Sequence, residues 1–580
     1  MRHRSKRPGR SRTRRCSFPQ VAAVSADANI HECVLAVDIG TTALKAILLT
    51  PDGQVVGSSE RPYRYGTVTG SSGLSGAMEQ DPEEWRDAFC QAARDVIGEG
   101  DASPAAVALS GQMQNVVLVK GGHSLRPCLL YSDVRAVSEA EEIRVQLTEN
   151  CDSVGSKLSN FKGAAACLCK LLWLAKNDAT TLDKAEHVLL GAHSFLAYVL
   201  CGSDRDSVAC DVTTASTTGL LGPDIYQQET TWAHDAIDEI DGINSSLLPP
   251  LIEGVAPGPV GKISSNTIHK LNLPKSLTNV PVFHGIGDLA STTIGAVGVG
   301  NGQNENGDKN TQNKTSSSSY LYLGTSGWVA RCVDVDSLAD SSAGSAQEKQ
   351  APTTFTLLHP DPSLRIVAAS MVTAGGNVEW ARRLLLDATK NSAKDFDALA
   401  SQALPGSDGV LYLPHLNGER SPFTDPTARG CFVNLSPKTN KNTLTRATLE
   451  GVAYNYRTLF DALDVEKNKN TPVPFLGGGA NSKVWTQIIA DCTKCSLSPI
   501  SDASLIAARG CAAGAFVFLK LWGSQNKAPR GYFPNHDVSD GRAENIYHPD
   551  ASAAAVHDKQ YLVWARLHKA LADAGAGEIV

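Results

Sequence analysis

The residue in this chain best placed to do chemistry is an acid framed by glycines. Asp288 follows Gly285 and Gly287 and precedes a small-residue run, Ala290, Ser291, Thr292, Thr293, Gly295 and Ala296. Pro281–Gly300 reads as a strand, a tight turn and a helix with the acid at the turn, where α/β folds place their chemistry. Two readings fit. Asp288 caps the helix, since Asp is among the strongest N-cap residues. Alternatively its carboxylate accepts a proton beside an anion such as phosphate, held by the free N–H groups of the first helical turn.

Other stretches carry complementary groups. In Asp38-Ile39-Gly40-Thr41-Thr42, Gly40 allows close backbone approach, Thr41 and Thr42 offer hydroxyl donors, and nearby Lys45 adds charge. Asp38 suits a hydrated Mg²⁺, which prefers carboxylate and phosphate oxygens. Gly324-Thr325-Ser326 repeats this hydroxyl-rich glycine turn. Gly477-Gly478-Gly479 ends an apolar strand, so a flat adenine or a phosphate can approach the backbone there, with Asn481 capping the next helix and bonding the base. Gln112, Met113 and Gln114 follow one strand, and Ser132 and Asp133 follow another apolar stretch. Side chains that both donate and accept, joined by an ionised acceptor, suit vicinal hydroxyls of a polyol. Taken singly, each is equally a loop amide or a cap.

These groups need two α/β lobes to hold them. A chain of 580 residues exceeds what one core supports. The N-terminal hairpin reads clearly: an apolar strand from Cys33, a strand over Ala43–Thr50, a Pro51-Asp52-Gly53 turn and a third strand. The sequence also predicts a helix over Met371–Leu386 and a small-residue helix over Ala507–Ala515 packed beneath the Gly477–Gly479 turn. Taken alone, the Glu419/Arg420 pair is compatible with a surface ion pair, worth ~1 kcal/mol or less, and equally with a loop beside a cleft.

Composition bounds the rest. Hydrophobic residues are 42% and charged residues 19%, as in an ordinary globular protein, and no apolar run reaches membrane-span length. A net charge of -7 argues against nucleic-acid binding by the body of the protein. The 14 cysteines are scattered, predicting free thiols in a reducing compartment, and Cys492/Cys495 lacks a second pair at metal-ligand spacing. Residues 1–31 are basic and acid-poor, fitting a disordered tail or an organelle transit peptide. Residues 300–318 read as a low-complexity insertion, and Asp336–Lys349 as a polar surface loop.

In this order the motifs are similar to those of a known family. Asp38 to Thr42 with Lys45 resembles the nucleotide hairpin of the FGGY carbohydrate kinases, α/β proteins with two ribonuclease-H-like lobes of the actin/hexokinase/Hsp70 ATPase superfamily. The likeness continues through Glu79–Trp85, Ala108–Gln114, Leu130–Ala136, Lys170–Asn177, Cys210–Gly219, Leu413–Pro422, Gly430–Glu450 and Pro474–Lys483. Gln114 and Tyr131 stand where xylulokinase-like members usually carry His and Trp.

The resemblance implies a first lobe over 32–299 that binds sugar and a second over 319–570 that binds ATP. It implies that Asp288 is the general base, that Gln112, Met113, Gln114, Ser132 and Asp133 bind substrate, and that Asp38 holds Mg²⁺. The ATP-binding set is then Gly40, Thr41, Thr42, Lys45, Gly324, Thr325, Ser326, Gly477, Gly478, Gly479 and Asn481. The reaction implied is ATP-dependent phosphorylation of a sugar or polyol, with D-xylulose first and ribulose, gluconate or glycerol as alternatives. A non-catalytic sugar or nucleotide sensor is the reading from another class; an actin-like ATPase scaffold fits the polyol motifs less well. Neither nucleic acid nor membrane is an expected partner, a homodimer is an open option, and the expected compartment is the cytoplasm, or a plastid or mitochondrion if the basic segment is a transit peptide.

Overall fold

The computed structural model describes residues 30–573 apart from 65–75, 99–102, 149–156, 162, 224–229, 299–318, 336–353, 387–391, 422, 424, 426, 466–471, 501, 524–526, 530–531 and 534–544. The basic segment up to residue 29, the low-complexity insertion and the second polar insert lie outside the described residues.

The first half builds on strand β1 (Val34–Ile39), which pairs antiparallel with β2 (Ala43–Leu49), itself antiparallel to β3 (Val55–Pro62). Helix α1 (Pro82–Ile97) follows, with Asp81 accepting a bond from the Glu83 N–H and Pro82 at the first helical position. Next come β4 (Ala106–Gly111), β5 (Met113–Lys120), α2 (Cys167–Asn177), β6 (His187–Gly191), α3 (Ala192–Leu200), the short β7 (Gly261–Lys262), β8 (Pro281–Gly287) and α4 (Asp288–Val297). The main sheet runs β7-β8-β4-β1-β2-β3, with β1, β4 and β8 parallel.

Strand β1 shows why the sheet is central. Alternate side chains point to opposite faces. Leu35, Val37 and Ile39 join a core with Trp85, Phe89 and Phe195, whereas Val34 and Ala36 join a second cluster that contains residues of the other half of the chain. Burial on both faces explains the nearly unbroken apolar run.

The second half repeats this plan. Strands β9 (Ser319–Leu323), β10 (Gly327–Asp334), β11 (Phe355–Leu358), β12 (Leu364–Met371), β13 (Val473–Leu476) and β14 (Leu497–Pro499) form a sheet ordered β11-β12-β10-β9-β13-β14. Antiparallel β12-β10-β9 matches β3-β2-β1, and parallel β9-β13-β14 matches β1-β4-β8. Its helices are α5 (Gly375–Leu385), α6 (Lys441–Ala462), α7 (Lys483–Thr493), α8 (Ile506–Phe518) and α9 (Ala551–Asp573). Among the described residues, no helix is long and apolar enough to cross a membrane, and all cysteines are free.

Three local expectations need correction. Met371 ends a strand, and the helix starts only at Gly375, because Val367–Met371 pairs in register with Gly327–Arg331. Asn481 does not cap α7; Ser482 does, accepting from the Trp485 N–H at 3.0 Å. Helix α8 packs against α4 rather than beneath the Gly477 turn. A Cβ on Gly295 would lie 2.2 Å from the Ile506 carbonyl oxygen, and one on Gly510 would lie 1.9 Å from that of Ser291. The two helices therefore touch backbone to backbone where the lobes meet. Tyr320 of β9 adds a second tie, its hydroxyl lying 3.0 Å from that of Thr293 on α4.

Replacing Gly510 by Ala must push these backbones apart, an overpacking cost of about 1–3 kcal/mol or more. The Gly510→Ala protein is expected to unfold several degrees below its parent in a thermal melt. Gly222→Ala, whose new Cβ meets nothing nearer than 4.0 Å, leaves the midpoint within about one degree.

Candidate active site

Parallel strands bring their carboxyl ends to one edge. Ser110 on β4 is in register with Asp38 on β1 and with Ile286 on β8. Asp38 and Asp288, the latter two residues beyond Ile286, thus flank the end of the same central strand. The β8 ladder breaks between Phe283 and Ile286, where Gly285 has φ +75° and a Cβ would stand 1.5 Å from the Leu109 carbonyl oxygen. Only glycine fits that approach.

Asp288 occupies the first helical position of α4, and the cap position belongs to Gly287. Its half-buried carboxyl is pushed up to about 7 by burial and then by the neighbouring Asp38 charge, against the opposing pull of the Leu289 N–H. Burial also raises Asp38, opposed by the Lys45 ammonium that pairs across from it on β2. Asp38 Oδ1 is buried without a hydrogen-bond partner among the described residues. An acid pair with an unpaired oxygen is a donor set that suits a hard divalent cation.

The predicted substrate residues fall into three situations. Gln112 is 1% exposed, and its amide donates to Gln80 Oε1 at 3.0 Å; Gln80 in turn donates to the Thr41 carbonyl at 3.1 Å. It links the substrate side to the hairpin turn while its own Oε1 stays unpaired, as does Ser132 Oγ. Met113 packs directly behind the acid, its sulfur 2.0 Å from where a Gly287 Cβ would stand. Gln114 adopts φ 61°, a left-handed conformation uncommon outside glycine, and its amide donates to the Ala165 carbonyl at 3.2 Å.

Asp133 is already bonded within the fold. Its carboxylate is 0% exposed, accepting from the Met78 N–H at 2.7 Å and from Arg135 at 2.6 Å. Arg135 also pairs with Glu79, so the Asp133 carboxylate is tied into a buried ion-pair network. Of the two readings of Glu419/Arg420 the surface pair is excluded: Glu419 is buried and bonded to His415 at 3.0 Å, Asn455 at 2.9 Å and the Val372 N–H at 3.0 Å.

The residues predicted to face the nucleotide lie on turns of both halves. Gly40, Thr41 and Thr42 join β1 to β2, with Thr42 exposed, and Tyr63 bonds the Gly40 carbonyl. Gly324, Thr325 and Ser326 join β9 to β10 and dock on the start of α5, the Gly375 N–H donating to the Gly324 carbonyl at 2.9 Å. Gly477, at φ +89°, presses on the Leu323 carbonyl, a Cβ there standing 2.4 Å away; Gly479 abuts the Leu323 side chain, and Gly478 faces open space. The two glycine elements of the second half thus meet at the end of β9. Asn481 is exposed in the turn after them.

Several groups escaped the sequence reading. Tyr322 of β9 stacks on Trp328 with ring centroids 3.8 Å apart, and burial with the charges of Asp38 and Asp288 pushes its phenol up to about 12. It brings the second half of the chain to the acid pair. The alternation of β9, which buries Leu321 and Leu323, was the available signal. Asp211 caps a short helix by accepting from the Thr214 N–H at 2.9 Å, binds His193 Nε2 at 2.8 Å, and receives the Gly287 N–H at 3.4 Å. His284 completes that buried cluster, its ring 4.9 Å from that of His193. Burial and His193 push His284 down to about 4, keeping it neutral. Lys170, fully buried on α2, donates to the Leu130 and Gln114 carbonyls.

Comparison with known proteins adds an independent line. Residues 33–295 match the N-terminal domain model of the FGGY family of carbohydrate kinases, and residues 321–518 match its C-terminal domain model. The chain is 26% identical over 540 residues to the xylulose kinase of Escherichia coli (strain K12), covering 93% of this chain and 99% of that one. It is 26% identical over 471 residues to the gluconokinase of Bacillus subtilis (strain 168), covering 79% and 82%. The solved xylulose kinase of Lactobacillus acidophilus superimposes with a TM-score of 0.73 at 22% identity, covering 93% of this chain and 98% of that one. With two duplicated α/β lobes meeting at an acid pair and both family domains matched in order, the chain belongs to the FGGY family of carbohydrate kinases, phosphotransferases that use ATP and a divalent metal to phosphorylate sugar hydroxyls.

Proposed function

We propose that this kinase phosphorylates D-xylulose to D-xylulose 5-phosphate, with Asp288 as general base and Mg²⁺ as the metal. The observation that carries the catalytic assignment is Asp288 beside Asp38 at the end of the central strands, where burial and then the Asp38 charge push it up to about 7. A base poised near neutrality is matched to proton removal from a hydroxyl. The choice of sugar draws on the xylulose kinases among the relatives and on the charge of the substrate side. Arg135 is committed to Asp133 and Glu79, and Lys170 to two carbonyls, an arrangement that suits a neutral ketose better than an aldonate.

Ionised Asp288 accepts the proton of the substrate hydroxyl as that oxygen attacks the γ-phosphorus of ATP and ADP leaves in line. Proton transfer need not run ahead of bond formation, because the transition state is loose and most of the catalysis lies in positioning and electrostatics. The glycine and hydroxyl turns, Gly40–Thr42 and Gly324–Ser326, together with Lys45, supply donors for the phosphates. Gly477–Gly479 and Asn481 border the nucleotide, with Gly478 leaving open space beside it. Asp38 would hold Mg²⁺, which supplies neutralisation of phosphate charge when bound.

Asp288→Asn is expected to retain ATP binding and to lower sugar phosphorylation by at least ~10², the scale of a lost general base. Turnover equal to the parent's in a coupled ADP-release assay would refute the role. Because the base works only when ionised, kcat/KM for the sugar is expected to be full above about pH 7 and to fall tenfold per unit below it. A pH series checks this, and a flat profile down to pH 5 would contradict it. Run across D-xylulose, D-ribulose, D-gluconate and glycerol, the same assay should give the highest kcat/KM with D-xylulose; a preference for D-gluconate would overturn the choice of sugar.

A further inference from the structure

Lys170 has no part in the mechanism above, yet it is a fully buried cation. Burying an ammonium costs several kcal/mol unless its donors are matched. Here the match is unusual, because among the described residues no carboxylate is bonded to it. Its Nζ lies 2.7 Å from the Leu130 carbonyl and 3.1 Å from the Gln114 carbonyl. Burial disfavours its charged form, and Asp133, the nearby acid that opposes this, already carries Arg135.

The two carbonyls belong to the two separate segments that present substrate-side groups. Leu130 immediately precedes Tyr131, Ser132 and Asp133, and Gln114 is itself on the other segment. Leu130 follows a strand paired with Glu79–Gln80, its N–H donating to the Met78 carbonyl at 3.0 Å, but the two segments are barely paired with each other. The ladder between β5 and β6 passes from Met113 to Val117 with a register shift, and β5 meets the strand Cys128–Leu129 only at Val116. Gln114 lies inside that interruption at φ 61°, a conformation that persists only where the surroundings hold it. A methionine would fill the same volume without the charge, so filling space does not account for a lysine.

We propose that Lys170 is a positioning residue for sugar binding: its ammonium clamps the Gln114 and Leu130 carbonyls and so sets the spacing between Gln114 and Ser132 across the substrate. The inference rests on the proposed contacts of Gln114 and Ser132 with the sugar. It does not depend on which sugar is bound.

The test is steady-state kinetics of Lys170→Met with whichever of D-xylulose, D-ribulose, D-gluconate and glycerol the parent turns over best, so that a wrong choice of sugar shows in the parent alone. The sugar KM should rise at least ~10-fold, the scale of a lost hydrogen bond to a charged group, while the ATP KM stays within about twofold. A purely structural role would lower kcat and the melting midpoint without that split. Should Lys170→Met fail to fold, Lys170→Arg carries the test, because a planar guanidinium cannot replace one compact ammonium between both carbonyls and the same selective rise follows. Combining Lys170→Met with Gln114→Gly should add less than the two changes separately, since both act through one segment. An unchanged sugar KM in either folded variant, or full additivity in the double variant, overturns the proposal.

Discussion

Two carboxylates held at the ends of strands that flank one serine repel each other where little water screens them. Much of the rest of the molecule answers that repulsion. Lys45 is placed opposite Asp38 by antiparallel pairing, so the first compensation is built into the hairpin itself. The opening N–H groups of α4 favour the ionised form of Asp288, and its proton is the remaining outlet, held near neutrality. Asp38 keeps an oxygen unpaired, a cost that a bound cation would remove. The pair makes sense as a site that is electrostatically incomplete without metal and nucleotide.

Duplication explains how a second partner surface reaches the same point. Each half contributes an antiparallel hairpin with a glycine turn and two further strands parallel to its first. In the first half that turn lies beside the acids; in the second, the corresponding strand sends Tyr322 toward them, while its turn and the Gly477 loop meet at Leu323. The halves are related in backbone plan and have divided the chemistry, with carboxylates on one and glycine-rich phosphate-type turns on both. A fold of this kind puts the reacting groups at a seam, where they are partly shielded from water without any long loop having to cover them.

The fold was legible in the sequence where local pattern and tertiary need agree. The β1–β3 hairpin announced itself through an apolar strand, an Asp-Gly turn and a second strand, and the Asp81-Pro82 entry to α1 through its cap chemistry. It failed where neighbouring residues share a chemistry. Asn481 and Ser482 are both good caps, and only the geometry of the preceding turn selects Ser482. Ala507–Ala515 was readable as a closely packed helix because of its small residues, but its partner lies more than two hundred residues earlier, which no local pattern encodes. Part of the candidate site was legible for the same reason: Asp288 and the glycine turns sit in motifs. The fates of Asp133, tied to an arginine two residues on, and of Lys170, aimed at two distant carbonyls, depend on side-chain partners that pattern alone does not rank.

The position of Asp288 connects these themes. It opens α4, and the same helix, two turns further on, makes a close backbone contact with the other half through Gly295 and Gly510. Arg509, beside that contact, donates to the Gly53 carbonyl of the β2–β3 turn at 2.6 Å, and Tyr320 bonds the Thr293 hydroxyl from the second half. A helix so fixed behaves as a rigid lever, since its carbonyls and side chains have no slack to absorb a shift. The contact between the two lobes therefore runs in part through the element that carries the proposed base. The Gly287 N–H, held by Asp211 with His193 behind it, anchors the start of that lever from the first lobe. The proposed base is thus braced from both sides, which is what a reaction depending on in-line placement more than on basicity requires.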